Sequence, residues 1–341
     1  MAGRFAWARL PDEKLLKLRF KDLKLTIEGT WLNRRLKDLY EELDARDIRV
    51  RPHVWLSDEW FSPDGTPGFA IPFYLAHPRL MELERKKIME VEGGTINECM
   101  RIMRHEMGHV VQNAFKLNRR RRWQQLFGPS SRRYPSYYKP NPASRNFVEH
   151  LRLWYAQSHP AEDFAETFAV WLRPRSDWRK RYAGWPALKK LEYVDALMDE
   201  IAGKRPTGIR RFEVDPLHRL TTTLEEHYKK KLKHYSIETP TTYDRDLRRI
   251  FSDDPRHKRW PAATQFIRSN RRYFRETVSR WTGEYQLTLN AVLEDMIARC
   301  RELDLRAVGP ERKLRQDFTV LLTAKTVHSL YSPSRRQWLA L

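Results

Sequence analysis

The stretch from Gly93 to Phe115 constrains this chain most, because nearly every residue in it argues for one helix carrying a chemically loaded face. The pair Gly93-Gly94 breaks whatever precedes it. Thr95-Ile96-Asn97-Glu98 is a capping box, with the Thr95 hydroxyl accepting from the third amide and Glu98 reaching back, so a helix starts near Ile96. Met100, Met103, Met107, Val110, Val111 and Ala114 then recur at spacings of three and four, which gives the helix one apolar face. An adjacent face carries His105 and His109, within the run Arg104-His105-Glu106-Met107-Gly108-His109. Two imidazoles four residues apart point the same way, and their separation suits one tetrahedral Zn²⁺. Glu106 falls beside such an ion, where a carboxylate accepts a proton from water whose pKa zinc lowers to about 7. The spacing points to metal-assisted hydrolysis; the bland alternative is two ordinary surface or core histidines.

Catalytic zinc takes three protein ligands and keeps a fourth position for water. Cys99 and Cys300 are the only cysteines and lie far apart, so neither a C-x-x-C zinc site nor a disulfide framework is available, and a reducing, cytoplasmic compartment is expected. A metzincin would need glycine at 112 and histidine at 115, where Gln112 and Phe115 stand. Spacing alone leaves Glu149, His150, His159, Glu162, Asp163 and Glu166 open as the third ligand. Ser158-His159-Pro160 opens a second helix that runs to Leu172 before Pro174 stops it. Glu162 and Glu166, four apart, share one of its faces, and Phe164, Phe168 and Trp171 cover another. Two like charges on one face are destabilising unless positive charge lies opposite, and a zinc ion with its histidine would provide it.

The run Glu162-Asp163-Phe164-Ala165-Glu166 resembles the ligand helix of gluzincin metallopeptidases of the lethal-factor type. In these the first glutamate of E-x-F-A-E binds zinc, the second hydrogen-bonds a ligand histidine, and a tyrosine seven residues before the ligand donates to the oxyanion; Tyr155 stands at that place. The resemblance implies His105, His109 and Glu162 as zinc ligands, Glu106 as general base, Glu166 behind a ligand histidine and Tyr155 as transition-state donor. From about Trp31 to Trp171, with Trp60-Phe61, Pro72-Phe73-Tyr74-Leu75 and Glu92-Gly93-Gly94-Thr95 alongside the two helices, the chain also resembles the bacterial zinc-binding metallopeptidase family. It lacks the cysteines for the amino-terminal zinc ribbon of some such proteins. The resemblances imply an α+β, zincin-like catalytic domain with a small twisted sheet, one Zn²⁺ per chain and a peptide or protein substrate.

At 341 residues, 40% hydrophobic and 12% aromatic, the chain can bury two cores. The break Gly203-Lys204-Arg205-Pro206-Thr207-Gly208 divides it into a zincin-like domain at 1–203 and a basic, mostly helical accessory region at 204–341. Trp31 to Leu43 is periodic and amphipathic, and Ile48 to Leu56 reads as a strand. Phe69 to Leu75 reads as a second extended run whose Pro72 confines it to an exposed edge, where a peptide could be held by main-chain hydrogen bonds. No apolar run reaches 18 residues and charges interrupt Met1 to Leu18, so neither a membrane span nor a signal peptide is expected.

A net charge of +21 fits acidic or polyanionic partners. Lys116 to Arg145 is free of acids, carries Arg119 to Arg122 with Trp123, Tyr134, Tyr137 and Tyr138, and lies between the two metal-binding segments. It is expected to rim the cleft and favour acidic peptides. Together with Arg268, Arg271, Arg272, Arg275 and Arg280 it also fits a nucleic-acid surface. The leading expectation is a zinc endopeptidase; the alternatives are a nucleic-acid-associated zincin protein and a non-catalytic zinc-containing binding module. Glu106 argues against the last, because a structural site has no need of a base.

Overall fold

The computed structural model describes residues 5–135, 137–206, 212–235, 243–331 and 337–338. Two compact units emerge, one from Met1–Arg85 and Val91–His227 with the last six residues, the other from Lys86–Glu90 and Tyr228–Arg335. No helix among the described residues is long and apolar enough to cross a membrane.

The first unit is built around two helices. The histidine helix, Ile96–Phe115, starts where its capping residues place it: Thr95 Oγ1 accepts from the Glu98 amide at 3.2 Å. Glu98 departs from the reciprocal half of a capping box, because its carboxylate is held by the Gly93 amide. Lys116, left-handed at φ 52°, ends the helix. The glutamate helix, Pro160–Leu172, is buried at every residue and is capped by His159, whose Nδ1 accepts from the Ala161 amide at 3.2 Å. The two helices pack at unusually short range. A Cβ added at Gly108 would sit 2.7 Å from the Ala165 Cα, well inside van der Waals contact, so only glycine allows this approach.

Elements on either side hold the pair. Trp31–Asp44 is an amphipathic helix whose Glu42 receives two bonds from Arg104 of the histidine helix, at 2.7 and 2.6 Å. From Ala187–Ile201, Lys190 reaches Asp163 of the glutamate helix at 2.6 Å and the Asn146 carbonyl at 2.7 Å. Trp123 and Phe127, on the short helix Arg121–Phe127, pack against the Phe164 ring, tilted and edge-on respectively, with centroids 5.9 and 5.4 Å away. The front of the arginine-rich segment is thereby docked on the glutamate helix.

The sheet is small, as expected, but differs in detail. His53–Ser57 pairs in parallel with Gly68–Pro72. Ile48 to Arg51 forms no strand: Asp47 is left-handed at φ 51°, the Ile48 amide bonds back to the Leu43 carbonyl at 2.9 Å, and the Arg51 guanidinium ties to Asp44 and to the Ile48 and Val50 carbonyls. The alternation there serves a helix end. Gly68–Pro72 is buried throughout, Pro72 is its last residue, and its far side meets Phe61, whose carbonyl accepts from the Ala70 amide at 2.8 Å. The expected exposed edge is therefore not free. Pro72 does not mark an exposed edge here; it ends the strand and opens the 3₁₀ turn Phe73–Ala76.

The second unit is helical among its described residues, as the periodicity predicts. Asp244–Ile250, Ala263–Ser269, Arg271–Thr282, Gln286–Glu302 and Glu311–Tyr331 surround a separate core that includes Phe251, Phe274, Leu293, Met296, Phe318 and Leu322.

Candidate metal centre

The close approach at Gly108 brings four sequence-predicted residues together in the buried interior. His105, His109 and Glu162 each direct one donor atom to a common point, all within 4.8 Å of one another. Glu162 Oε2 lies 2.9 Å from His105 Nε2 and 3.2 Å from His109 Nε2, and the two Nε2 atoms are 3.2 Å apart. A tetrahedral ion with bonds near 2.0–2.1 Å separates its donors by about 3.3 Å, so the three fit zinc with only a slight opening. The donor set itself, two imidazoles and one carboxylate, is that of open, catalytic zinc sites rather than closed structural ones.

Glu166 orients the cluster from behind. Its Oε1 accepts from His105 Nδ1 at 2.8 Å, which places a ring proton on that nitrogen and turns Nε2 toward the donor cluster. Its Oε2 accepts from the Leu151 amide at 2.8 Å. Burial alone would lower the His105 pKa, but the hydrogen bonds to Glu162 and Glu166 outweigh it and raise it well above the usual value. Burial would likewise raise Glu162, and the two histidines instead hold it well below the usual carboxylate range.

Glu106 is buried one residue beyond His105, and its Oε2 has no hydrogen-bond partner among the described residues. A buried carboxylate oxygen left bare is costly, and it is rational where a water must be received. Burial pushes the Glu106 pKa up; His105 and His109 oppose that, and Glu162 adds to it.

Tyr155 arrives on the turn Arg152–Gln157, where Leu153 and Trp154 both take left-handed backbone, at φ 57° and 54°. Non-glycine residues resist this conformation, and such strain concentrates where a side chain must be aimed. Tyr138 steadies the turn by donating to the Leu153 carbonyl at 2.9 Å. The Tyr155 ring lies 5.7 Å from that of His105, and burial, with Glu162 and Glu106 nearby, keeps its phenol protonated by raising its pKa well above the usual value.

Residues 84–181 match the model of a family described as "Putative zinc-binding metallo-peptidase". That stretch contains both helices, the segment between them and every residue of the centre. No curated protein and no solved structure gives a significant match.

The other third-ligand candidates lie elsewhere. Glu149 is paired with Arg181 at 3.4 Å, His150 Nε2 bonds the Arg101 carbonyl at 2.9 Å, His159 caps its helix, and Asp163 faces Lys190. Tyr134 is the residue that sequence reasoning did not single out for the centre: its hydroxyl donates to Glu162 Oε1 at 2.9 Å. Its one signal was its place as an aromatic within an acid-free segment between ligands. Of the arginines there, Arg120 makes two bonds to Glu200, at 2.6 and 2.8 Å. In the second unit Arg271 pairs with Glu294, Arg272 with Glu276 at 2.7 Å, and Arg275 bonds Asn290 at 2.9 Å, so much of that cluster is matched within the chain.

Proposed function

We propose that this chain is a zinc-dependent endopeptidase of the gluzincin kind, with its chemistry in the first unit and the helical unit as an accessory. The observation that carries the reading is the buried His105–His109–Glu162 donor set with the bare oxygen of Glu106 beside it. The match over residues 84–181 supports a peptidase at a coarser level.

His105, His109 and Glu162 would hold the ion, which when bound supplies Lewis acidity toward a peptide carbonyl and lowers the pKa of water. Glu106 accepts a proton from water as its oxygen attacks the carbonyl carbon, and returns it to the leaving amine when the C–N bond breaks. Burial raises its pKa, which strengthens it as the acceptor of that proton. Tyr155, held protonated, donates to the carbonyl oxygen as negative charge develops. Glu166 keeps the His105 tautomer fixed throughout. Substrate is a peptide or protein, with a preference for acidic segments expected from the acid-free, arginine-rich segment between the two helices.

The test is metal analysis followed by cleavage of an unbiased peptide library. About one zinc per chain is expected, lost in His105→Ala, His109→Ala and Glu162→Ala. Full zinc occupancy in Glu162→Ala, with loss in Glu149→Ala or His159→Ala, would remove Glu162 from the ligand set. A zinc-loaded protein that cleaves no library member would leave a binding module in place of the peptidase.

A further inference from the structure

The two glutamates of this helix, Glu162 and Glu166, have four carboxylate oxygens, and each of the four has a partner. Glu166 uses one on His105 Nδ1 and one on the Leu151 amide; Glu162 turns Oε2 to the two imidazoles and Oε1 to the Tyr134 hydroxyl. The last bond is set apart by its donor, because Tyr134 contributes a side chain from outside the two helices, whereas Leu151 contributes a backbone amide. Tyr134 is 46% exposed as a residue, while its hydroxyl reaches a glutamate that is only 4% exposed.

Two further contacts fix where Tyr134 stands. His159 Nδ1 accepts from the Ala161 amide, so its ring proton is on Nε2, which donates to the Arg132 carbonyl at 2.9 Å. The Tyr134 ring lies flat on this immobilised imidazole, with centroids 3.7 Å apart and planes 20° from parallel. His159 precedes Glu162 by three residues, so the plate under the phenol and the carboxylate it bonds share one face of one element. The segment Arg132–Tyr134 is clipped to the start of the glutamate helix at the position that sets the orientation of Glu162.

We propose that Tyr134 is a positioning residue that holds Glu162 to ligation through a single oxygen. A carboxylate beside a metal can bind through one oxygen or through both. Two-oxygen binding would take up the position that a catalytic zinc site keeps open for water. Occupying Oε1 with a phenolic donor, and fixing that donor from the same helix, keeps the open position open. The charge-assisted O–H···O⁻ bond also satisfies an oxygen that would otherwise be buried without a partner.

This inference rests on the ligand set proposed above, and the two fail differently. Apo protein is titrated with Co²⁺, whose visible absorption is intense in four-coordinate sites and weak at higher coordination number, and zinc affinity is measured by competition with a chromophoric chelator. Wild type is expected to give the intense spectrum. Tyr134→Phe keeps the ring on His159 and removes only the hydroxyl, so the fold is retained. It should weaken the cobalt bands, as Glu162 closes onto the metal with its second oxygen, and lower zinc affinity 10- to 100-fold, as is usual when an outer partner of a ligand is lost. His159→Asn, which retains a helix cap but removes the plate, should move the cobalt spectrum in the same direction. A Tyr134→Phe spectrum that superimposes on wild type overturns the positioning role. Wild-type protein that takes up neither Co²⁺ nor Zn²⁺ overturns the ligand set itself, and with it this inference.

Discussion

Replacing Gly108 by alanine tests the geometry of the centre without touching any residue that would hold metal or move a proton. The new Cβ would meet the Ala165 Cα at 2.7 Å, its carbonyl oxygen at 3.1 Å and its Cβ at 3.2 Å. Carbon atoms rest about 3.5–4.0 Å apart, so the two helices must separate by roughly 1 Å. The three donor residues would feel it. His105 and His109 ride on one helix and Glu162 on the other, at donor separations of 2.9 and 3.2 Å. Zinc sites tolerate deviations of about 0.2 Å, so displacement of this size takes the carboxylate out of reach. Overall stability should change far less. Alanine favours a helix over glycine by about 0.8–1.0 kcal/mol, while overpacking costs typically 1–3 kcal/mol, which leaves a net loss of about 0–2 kcal/mol. Gly108→Ala should therefore remain folded by circular dichroism and melt slightly earlier, yet bind zinc more weakly than the roughly 10- to 100-fold loss that follows from disturbing an outer partner. Chelator competition measures the affinity. If the variant binds zinc as tightly as wild type, the close approach of the two helices does not set the ligand geometry.

Glu106→Gln should keep the fold and the zinc while hydrolysis falls by several orders of magnitude, because water loses its proton acceptor; equal peptide cleavage by variant and wild type would take Glu106 out of the mechanism. Tyr155→Phe should raise the barrier by about 2–4 kcal/mol with little change in metal content, read as a loss in kcat rather than in zinc stoichiometry. His150 is buried and its pKa is lowered to about 4 by that burial, against an ordinary value of 6.5. The unfolded chain therefore takes up a proton that the folded chain refuses, and stability should fall as pH drops from 6.5 toward 4, by roughly 3 kcal/mol in all, then stop responding to this group. Denaturant melts across that window should show a shallower slope in His150→Gln; identical slopes would mean that another group governs the acid response.

Much of the centre is legible in the sequence because helix periodicity is a rigid ruler. Four-residue spacing places His105 beside His109 and Glu162 beside Glu166, and Thr95 fixes where the first helix begins. The docking of one helix on the other is written less openly: Gly108 reads as a weak helix residue until Ala165 is seen against it. Tyr134 was illegible for a different reason. It sits in irregular chain between elements, where no period relates a residue number to a direction, and its position depends on a stack with His159 that no local pattern encodes. The strand boundaries failed on local competition. Asp47 and Arg51 used their hydrogen-bonding capacity to finish a helix, so the alternation from Ile48 onward never reached a neighbouring strand.

The ion pairs that flank the two helices bear on what can be cut out of this chain. Residues 84–181 match a family by themselves, and an expression clone spanning just that stretch is an obvious shortcut. It would amputate Glu42 from Arg104 and Lys190 from Asp163, pairs in which every side chain is no more than 11% exposed. Asp163 already has a pKa raised to about 7 by burial with its lysine in place. Stripping one partner from a buried pair costs about 3–5 kcal/mol, and two such losses rival the whole 5–15 kcal/mol that keeps an ordinary domain folded. The recognisable stretch holds every residue of the candidate centre and too little of the counter-charge, so a fragment that keeps both pairs has to reach back to Trp31 and forward through Ile201.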